Sequence, residues 1–274
     1  MSAFTLYCPK TVKEAIELQK ATMGTFIAGG TVSLVNRKRG KDPGDAEISL
    51  LGIEELKGIT SENGYITIGS MVTMDEIESS GIIKKHALSL WQAASDVGGP
   101  QIRNMATLGG NLAAASPSSD CAVPLLALNA VIIAAGADGE REIPVRSFFT
   151  GYLKHALKAG EIITKIKIPV YEGAVSAFRK AGKRNALAIS CINMAVSRNG
   201  SRIDVSAGAC APVPVYCEKT SSLLSEGGSL KEAEELILTE ISPIDDRYAS
   251  ASYRKKVCVN MLSKLLEETG GVIC

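Results

Sequence analysis

Four glycines and a run of small polar side chains carry the most chemistry in this chain. Ala28-Gly29-Gly30-Thr31 comes early, and Thr107-Leu108-Gly109-Gly110-Asn111-Leu112-Ala113-Ala114-Ala115-Ser116-Pro117-Ser118-Ser119-Asp120 comes later. Adjacent glycines let the backbone approach a ligand closely and take φ > 0. Successive backbone amides then form a nest that holds an anion without a lysine. The hydroxyl and amide side chains beside them add donors, and Asp120 adds an acceptor for a sugar hydroxyl. Two such segments in one domain read as two walls of a cradle for a pyrophosphate-bridged nucleotide. A lone Gly-Gly is a common turn, so the weight falls on the pair. Neither segment has the glycine spacing of a Rossmann fingerprint or a P-loop.

Other reactive side chains are sparse. Arg179, Lys180, Lys183 and Arg184 form a basic group. It could face a phosphate, which arginine pairs well with, or be a solvated hairpin. Arg37-Lys38-Arg39-Gly40-Lys41 reads as a solvated turn or, more sharply, a partner contact. The seven cysteines are scattered with no C-x-x-C. That spacing predicts reduced thiols in a cytoplasmic protein and argues against an iron–sulfur or structural zinc site. His86 and His155 lie far apart and read as surface or helix-end residues. No nucleophile–base pair is visible. The formal net charge of +1 gives no long-range pull toward nucleic acid or an anionic membrane. The most apolar stretch, residues 121–137, is broken by Pro124 and Asn129. It is shorter than the roughly 20 residues of a membrane span. No N-terminal signal is evident, since the first residues run into a strand pattern.

The elements that must position these residues follow from periodicity and punctuation. Thr11-Val12-Lys13-Glu14 and Thr73-Met74-Asp75-Glu76 have the capping-box pattern and open helices. Phe26-Ile27-Ala28 is a strand ending on the first glycine pair, and Ile48-Ser49-Leu50 is another short strand. Tyr65-Ile66-Thr67-Ile68-Gly69 alternates as a strand. A helix over residues 88–97 carries Trp91, read as core packing, and stops at Gly98-Gly99-Pro100. An apolar element over 123–129 precedes a strand at 131–135, and Asp138-Gly139 marks a hairpin. Residues 162–169 form a strand, and 186–198 read as a long strand. Asn199-Gly200 is the strongest hairpin signal, with 203–209 returning. Two helices complete the chain, one capped at Ser229 and one over 248–269 that stops at Gly270-Gly271. These elements divide as a β-α-β unit over 1–57, an α+β domain on a mostly antiparallel sheet over 58–172, and a C-terminal sheet with helices over 173–274.

The two glycine segments, their order and their separation resemble the FAD-binding subunit of the molybdenum hydroxylases, the flavoprotein chain of xanthine and carbon monoxide dehydrogenases. The wider fold is that of p-cresol methylhydroxylase and vanillyl-alcohol oxidase. Ile102-Arg103-Asn104, Glu161-Ile162-Ile163-Thr164-Lys165-Ile166-Lys167-Ile168-Pro169, Phe178-Arg179-Lys180 and Ala186-Leu187-Ala188-Ile189 extend the resemblance over nearly the whole chain. It implies an α+β chain with a two-part FAD-binding fold and non-covalent FAD between the first two domains. Residues 25–33 would wrap the pyrophosphate, with Ile27, Ala28, Gly29, Gly30, Thr31, Val32 and Ser33 as the binding set. Val32 departs from the family, where Ser, Asp or Glu is common. Thr107, Gly109, Gly110 and Asn111 match pyrophosphate and ribityl contacts. Ala114 stands where Thr is frequent, and Ser116 and Asp120 match residues that reach the sugar and phosphate side. Ile163 matches a position near adenine or flavin, or is plain sheet core. Lys180, with the basic group, could contact FAD, NAD or solvent. Relatives carry a lysine where this chain has Ser190.

The implied role is electron relay. A molybdopterin-binding partner hydroxylates a substrate, and a [2Fe–2S] partner passes electrons to FAD in this chain. NAD or another acceptor then receives them. A self-sufficient flavin reductase or oxidase, and a flavin-less assembly module, are the alternatives.

Overall fold

The structure is a computed structural model that describes residues 5–40, 44–184 and 186–270. Lys41 of the basic turn, Gly271 of the final helix stop, Cys274 and the first four residues lie outside the described residues.

The first unit is a small parallel sheet. Strand β1 (Thr5–Tyr7) leads into helix α1 (Val12–Thr22), then strand β2 (Thr25–Ile27), helix α2 (Ser33–Lys38) and strand β3 (Ala46–Ser49), with sheet order β1-β3-β2. The Thr11 hydroxyl accepts from the Glu14 amide and starts α1 as its sequence predicts. Met23, in the left-handed conformation at φ 55°, ends it. Ala15, Ile48, Ile53 and Leu56 form the core beneath.

The second unit is an antiparallel sheet of five strands covered by short helices. Strands β4 (Ile59–Glu62) and β5 (Tyr65–Gly69) precede helices α3 (Met74–Ser79), α4 (Gly81–His86), α5 (Leu88–Ser95), α6 (Pro100–Arg103), α7 (Leu108–Ala113) and α8 (Ala122–Ala127). Strands β6 (Val131–Gly136) and β7 (Gly139–Pro144), the small β8–β9 hairpin (Phe149–Gly151 and Lys154–His155), and β10 (Ile162–Pro169) follow. The sheet order is β4-β5-β10-β6-β7. The Thr73 capping box forms with both of its hydrogen bonds, and Gly139 turns the β6–β7 hairpin at φ 102°. Trp91 packs on this core and donates its indole N–H to the Glu78 carbonyl.

The third unit is a four-stranded antiparallel sheet backed by helices. It runs β11 (Val175–Gly182), β12 (Ser190–Asn199), β13 (Arg202–Gly208), β14 (Val215–Tyr216), then α9 (Glu218–Ser225), α10 (Leu230–Glu240) and α11 (Ala251–Glu268). Gly200 at φ 59° closes the hairpin that Asn199-Gly200 predicts. Two sequence expectations are corrected here. The strand expected from residue 186 begins at Ser190. A helix absent from the sequence reading, α9, lies against β13. Its EKTSSLLS sequence is serine-rich and reads as loop, because serine competes for backbone hydrogen bonds. Tertiary pairing overrides that preference: Ser221 and Ser225 accept from the Val205 and Ile203 amides of β13. The helix thus satisfies strand amides that β14 is too short to reach.

The second and third units are joined by polar contacts. The Phe178 amide donates to Gln92 Oε1 at 2.7 Å, and Arg146 pairs with Asp204 at 2.9 Å while stacking on Tyr216. The fold class is α+β, with β11 lying beside α5 so that the third unit borders the glycine segments.

Candidate functional site

A cleft of about 860 Å³ runs between the three units. That lies toward the upper end of the roughly 300–1,000 Å³ usual for small-molecule sites. Every residue of the expected binding set lines it except Ile27, which lies in the last position of β2. Sequence reasoning missed Ser70, Val97, His155, Leu187 and Ile189, which also line it.

The two glycine segments have different jobs. In the first, the amides of residues 29–33 meet no acceptor among the described residues. Val32 sits at the cap position of α2 with no side-chain bond and is 53% exposed. An apolar residue there cannot cap, so the local amides stay free. Gly30 alone of the four glycines takes φ > 0, at 71°. Gly29 is required by the protein itself, since a Cβ would stand 1.5 Å from the Met105 carbonyl oxygen. The first loop is therefore clasped directly onto the turn after α6.

In the second segment, the glycines are helical. The Leu108 and Gly109 amides donate to the Val72 and Ser70 carbonyls, and the Gly110 amide donates to Thr107 Oγ1. These amides are spent inside the protein. A Cβ on Gly109 would meet Ser70 Cβ at 2.7 Å, and one on Gly110 would meet Thr107 Oγ1 at 2.9 Å and Ala28 Cβ at 3.7 Å. Small residues here let strand β5, helix α7 and the first loop converge. Asn111 is braced by Ser119, whose hydroxyl donates to Asn111 Oδ1 at 2.5 Å. Asn111, Ala114 and Ser116 line the cleft.

Asp120 is nearly buried and both carboxylate oxygens are engaged. Ser190 Oγ and Asn193 Nδ2 donate to Oδ1 at 2.5 and 2.7 Å, and Lys180 Nζ donates to Oδ2 at 2.6 Å. The side chains of Lys180 and Asp120 are 9% and 10% exposed. Lys180 also donates to the Asp96 carbonyl at 3.0 Å. Burial pushes the nearby Asp96 carboxyl above its usual range, with Lys180 opposing the shift. Ser190 thus fills its place as a hydroxyl donor, while the cation arrives from β11. The rest of the basic group disperses. Arg179 pairs with Glu268, Lys183 donates to the Arg247 carbonyl, and Arg184 donates to the Leu187 carbonyl. Only Lys180 reaches the cleft.

His155 is corrected from a surface residue to part of the cleft wall. It stacks on Phe148, and burial lowers its pKa. His86 ends α4. Ile163 belongs to the sheet core and also lines the cleft. Leu187 and Ile189 line the cleft and are more than half exposed. The described cysteines are unpaired, and burial raises the Cys210 thiol to about 12. No described helix is long and apolar enough to cross a membrane.

The comparisons with known proteins show the family. A family profile described as the FAD binding domain in molybdopterin dehydrogenase matches residues 2–171, and one for the CO dehydrogenase flavoprotein C-terminal domain matches residues 176–269. The xanthine dehydrogenase FAD-binding subunit of Escherichia coli O157:H7 is 30% identical over 271 residues, covering 94% of this chain and 93% of that one. The nicotinate dehydrogenase FAD-subunit of Eubacterium barkeri is 35% identical over 199 residues, covering 70% and 67%. A solved carbon monoxide dehydrogenase chain from Hydrogenophaga pseudoflava superposes with a TM-score of 0.92 at 26% identity, covering 97% of each chain. These matches place the chain in the family of FAD-binding subunits of molybdopterin dehydrogenases, as an oxidoreductase component.

Proposed function

We propose that this chain is the electron-transfer subunit of a multi-subunit molybdenum hydroxylase, working with a molybdopterin-binding partner and a [2Fe–2S] partner. The observation that carries the reading is the run of free amides over residues 29–33 at the wall of a cleft of dinucleotide size. Free N–H groups in sequence form an anion nest, and a pyrophosphate fits that chemistry. FAD, when bound, would supply the redox chemistry, taking two electrons from the partner's clusters and giving them to NAD or another acceptor.

The chain's own residues bind and orient. The first-loop amides and the Thr31 hydroxyl would grip the pyrophosphate. Thr107, Gly109 and Gly110 would shape the second wall rather than donate their amides. Asn111, Ser116 and, at the base of the cleft, Ile163 would line the path of the remainder. Asp120 would hold the Lys180 ammonium in place, leaving one of its three N–H groups for the ligand. Residues 1–57, 58–172 and 173–274 would act as three units, with the third supplying Lys180. The unpaired cysteines support a cytoplasmic setting.

The test is the visible spectrum of the purified chain and the identity of flavin released on denaturation. The expected result is non-covalent FAD at about one per chain, as one site requires. Gly110→Val should purify without flavin. A colourless wild-type protein that takes up no added FAD would overturn the proposal. Anaerobic bleaching of the bound flavin by NADH would support NAD as the acceptor, and no bleaching would exclude it.

A further inference from the structure

We infer that Ser70 is a cofactor-binding residue, its hydroxyl hydrogen-bonding the polar linker of the dinucleotide. This rests on the FAD reading above. Ser70 follows directly on β5 and is 3% exposed. Its backbone is fixed on both sides: its amide donates to the Thr164 carbonyl at 3.0 Å, and its carbonyl accepts from the Gly109 amide at 2.8 Å. The Ser70 hydroxyl, by contrast, is buried with no hydrogen-bond partner. Buried hydroxyls are almost always paired, and an exception calls for an explanation.

The surroundings supply one. Ser70 lines the cleft. Gly109 stands over it without a side chain, where a Cβ would lie 2.7 Å from the serine Cβ. Gly110, next along α7, faces Ala28 at the start of the free-amide loop. Ser70, Gly109, Gly110 and Ala28 therefore form one continuous strip of wall that leads to the amides of residues 29–33. The inferred contact requires the hydroxyl to turn from its buried position toward the cleft, a change between staggered rotamers. There it meets the phosphate or ribityl oxygens that the free amides address. Ser89 also has a buried, unpartnered hydroxyl, but it lies at the α5–β11 contact and does not line the cleft. His155 Nδ1 is likewise buried, unpartnered and on the cleft wall, but of the two unpartnered hydroxyls only that of Ser70 lies on the strip beside the glycine segments.

The test uses the full chain stripped of flavin and titrated with FAD, read by flavin fluorescence, with the melting temperature of the flavin-free protein as second readout. Ser70→Ala should weaken FAD binding about 10-fold, the effect of one hydrogen bond worth about 1.4 kcal/mol. It should leave the melting temperature of the flavin-free protein equal or higher, since the variant removes an unpaired hydroxyl. Unchanged FAD affinity would overturn the inference. A lower melting temperature with a proportionate loss of affinity would also overturn it, because that is the signature of a structural role. If wild-type protein itself takes up no FAD, the functional proposal fails first, so the two failures are distinguishable.

Discussion

Removing the Lys180 ammonium should destabilise the chain before any cofactor is considered. Lys180→Met leaves Asp120 nearly buried with two neutral donors, Ser190 and Asn193, and no cation. Breaking a buried pair by removing one partner costs about 3–5 kcal/mol. The two remaining hydrogen bonds keep the carboxylate partly stabilised, which places the loss near the lower bound, about 3 kcal/mol. For a chain of this size each kcal/mol moves the melting temperature by about 2–4 °C, so the expected drop is about 6–12 °C. The assay is thermal unfolding of flavin-free protein followed by circular dichroism. The combined Lys180→Met, Asp120→Asn variant should recover more than half of the drop, because it removes the buried charge along with its partner. A Lys180→Met protein within about 2 °C of wild type, less than the shift for a single kcal/mol, would refute the reasoning. So would a combined variant as unstable as the single one.

Two further outcomes follow from the site. Gly29→Ala should lose bound flavin and lower the melting temperature, because its Cβ would stand 1.5 Å from the Met105 carbonyl oxygen; flavin content and thermal unfolding check this, and a fully loaded, equally stable variant would contradict the clasp between the first loop and the turn after α6. His155 has a lowered pKa in the folded chain from burial, so the unfolded chain binds more protons near its ordinary pKa of about 6.5. Stability from this residue is complete above that value and is lost as pH falls below it, so melting temperatures measured from pH 7.5 to 5.5 should show a decline that His155→Phe flattens.

Much of the local structure was legible in the chain. The Thr11 and Thr73 caps and the Asn199-Gly200 and Asp138-Gly139 hairpins are set by residue chemistry within four positions, so the sequence alone contains them; Gly99-Pro100, read as a helix stop, instead opens α6, while α5 ends at Ser95. The two glycine segments were legible too, since few folds demand that composition twice. What each glycine does was not. Gly29 exists for a carbonyl oxygen on another segment, and Gly109 for a serine at the end of β5; neither neighbour is close in sequence.

The sequence by itself determined the α+β pattern, the family resemblance and the candidate loop residues, because periodicity, caps and turn residues act over short spans. Tertiary structure alone decided which amides are free, since an amide is spent or available according to what packs against it. It also paired Asp120 with Lys180, 60 residues away, brought His155 and Ser70 to the cleft, and folded the serine-rich α9 by giving its hydroxyls the amides of β13. Each of these depends on a contact between distant segments, and one-dimensional spacing carries no record of such contacts.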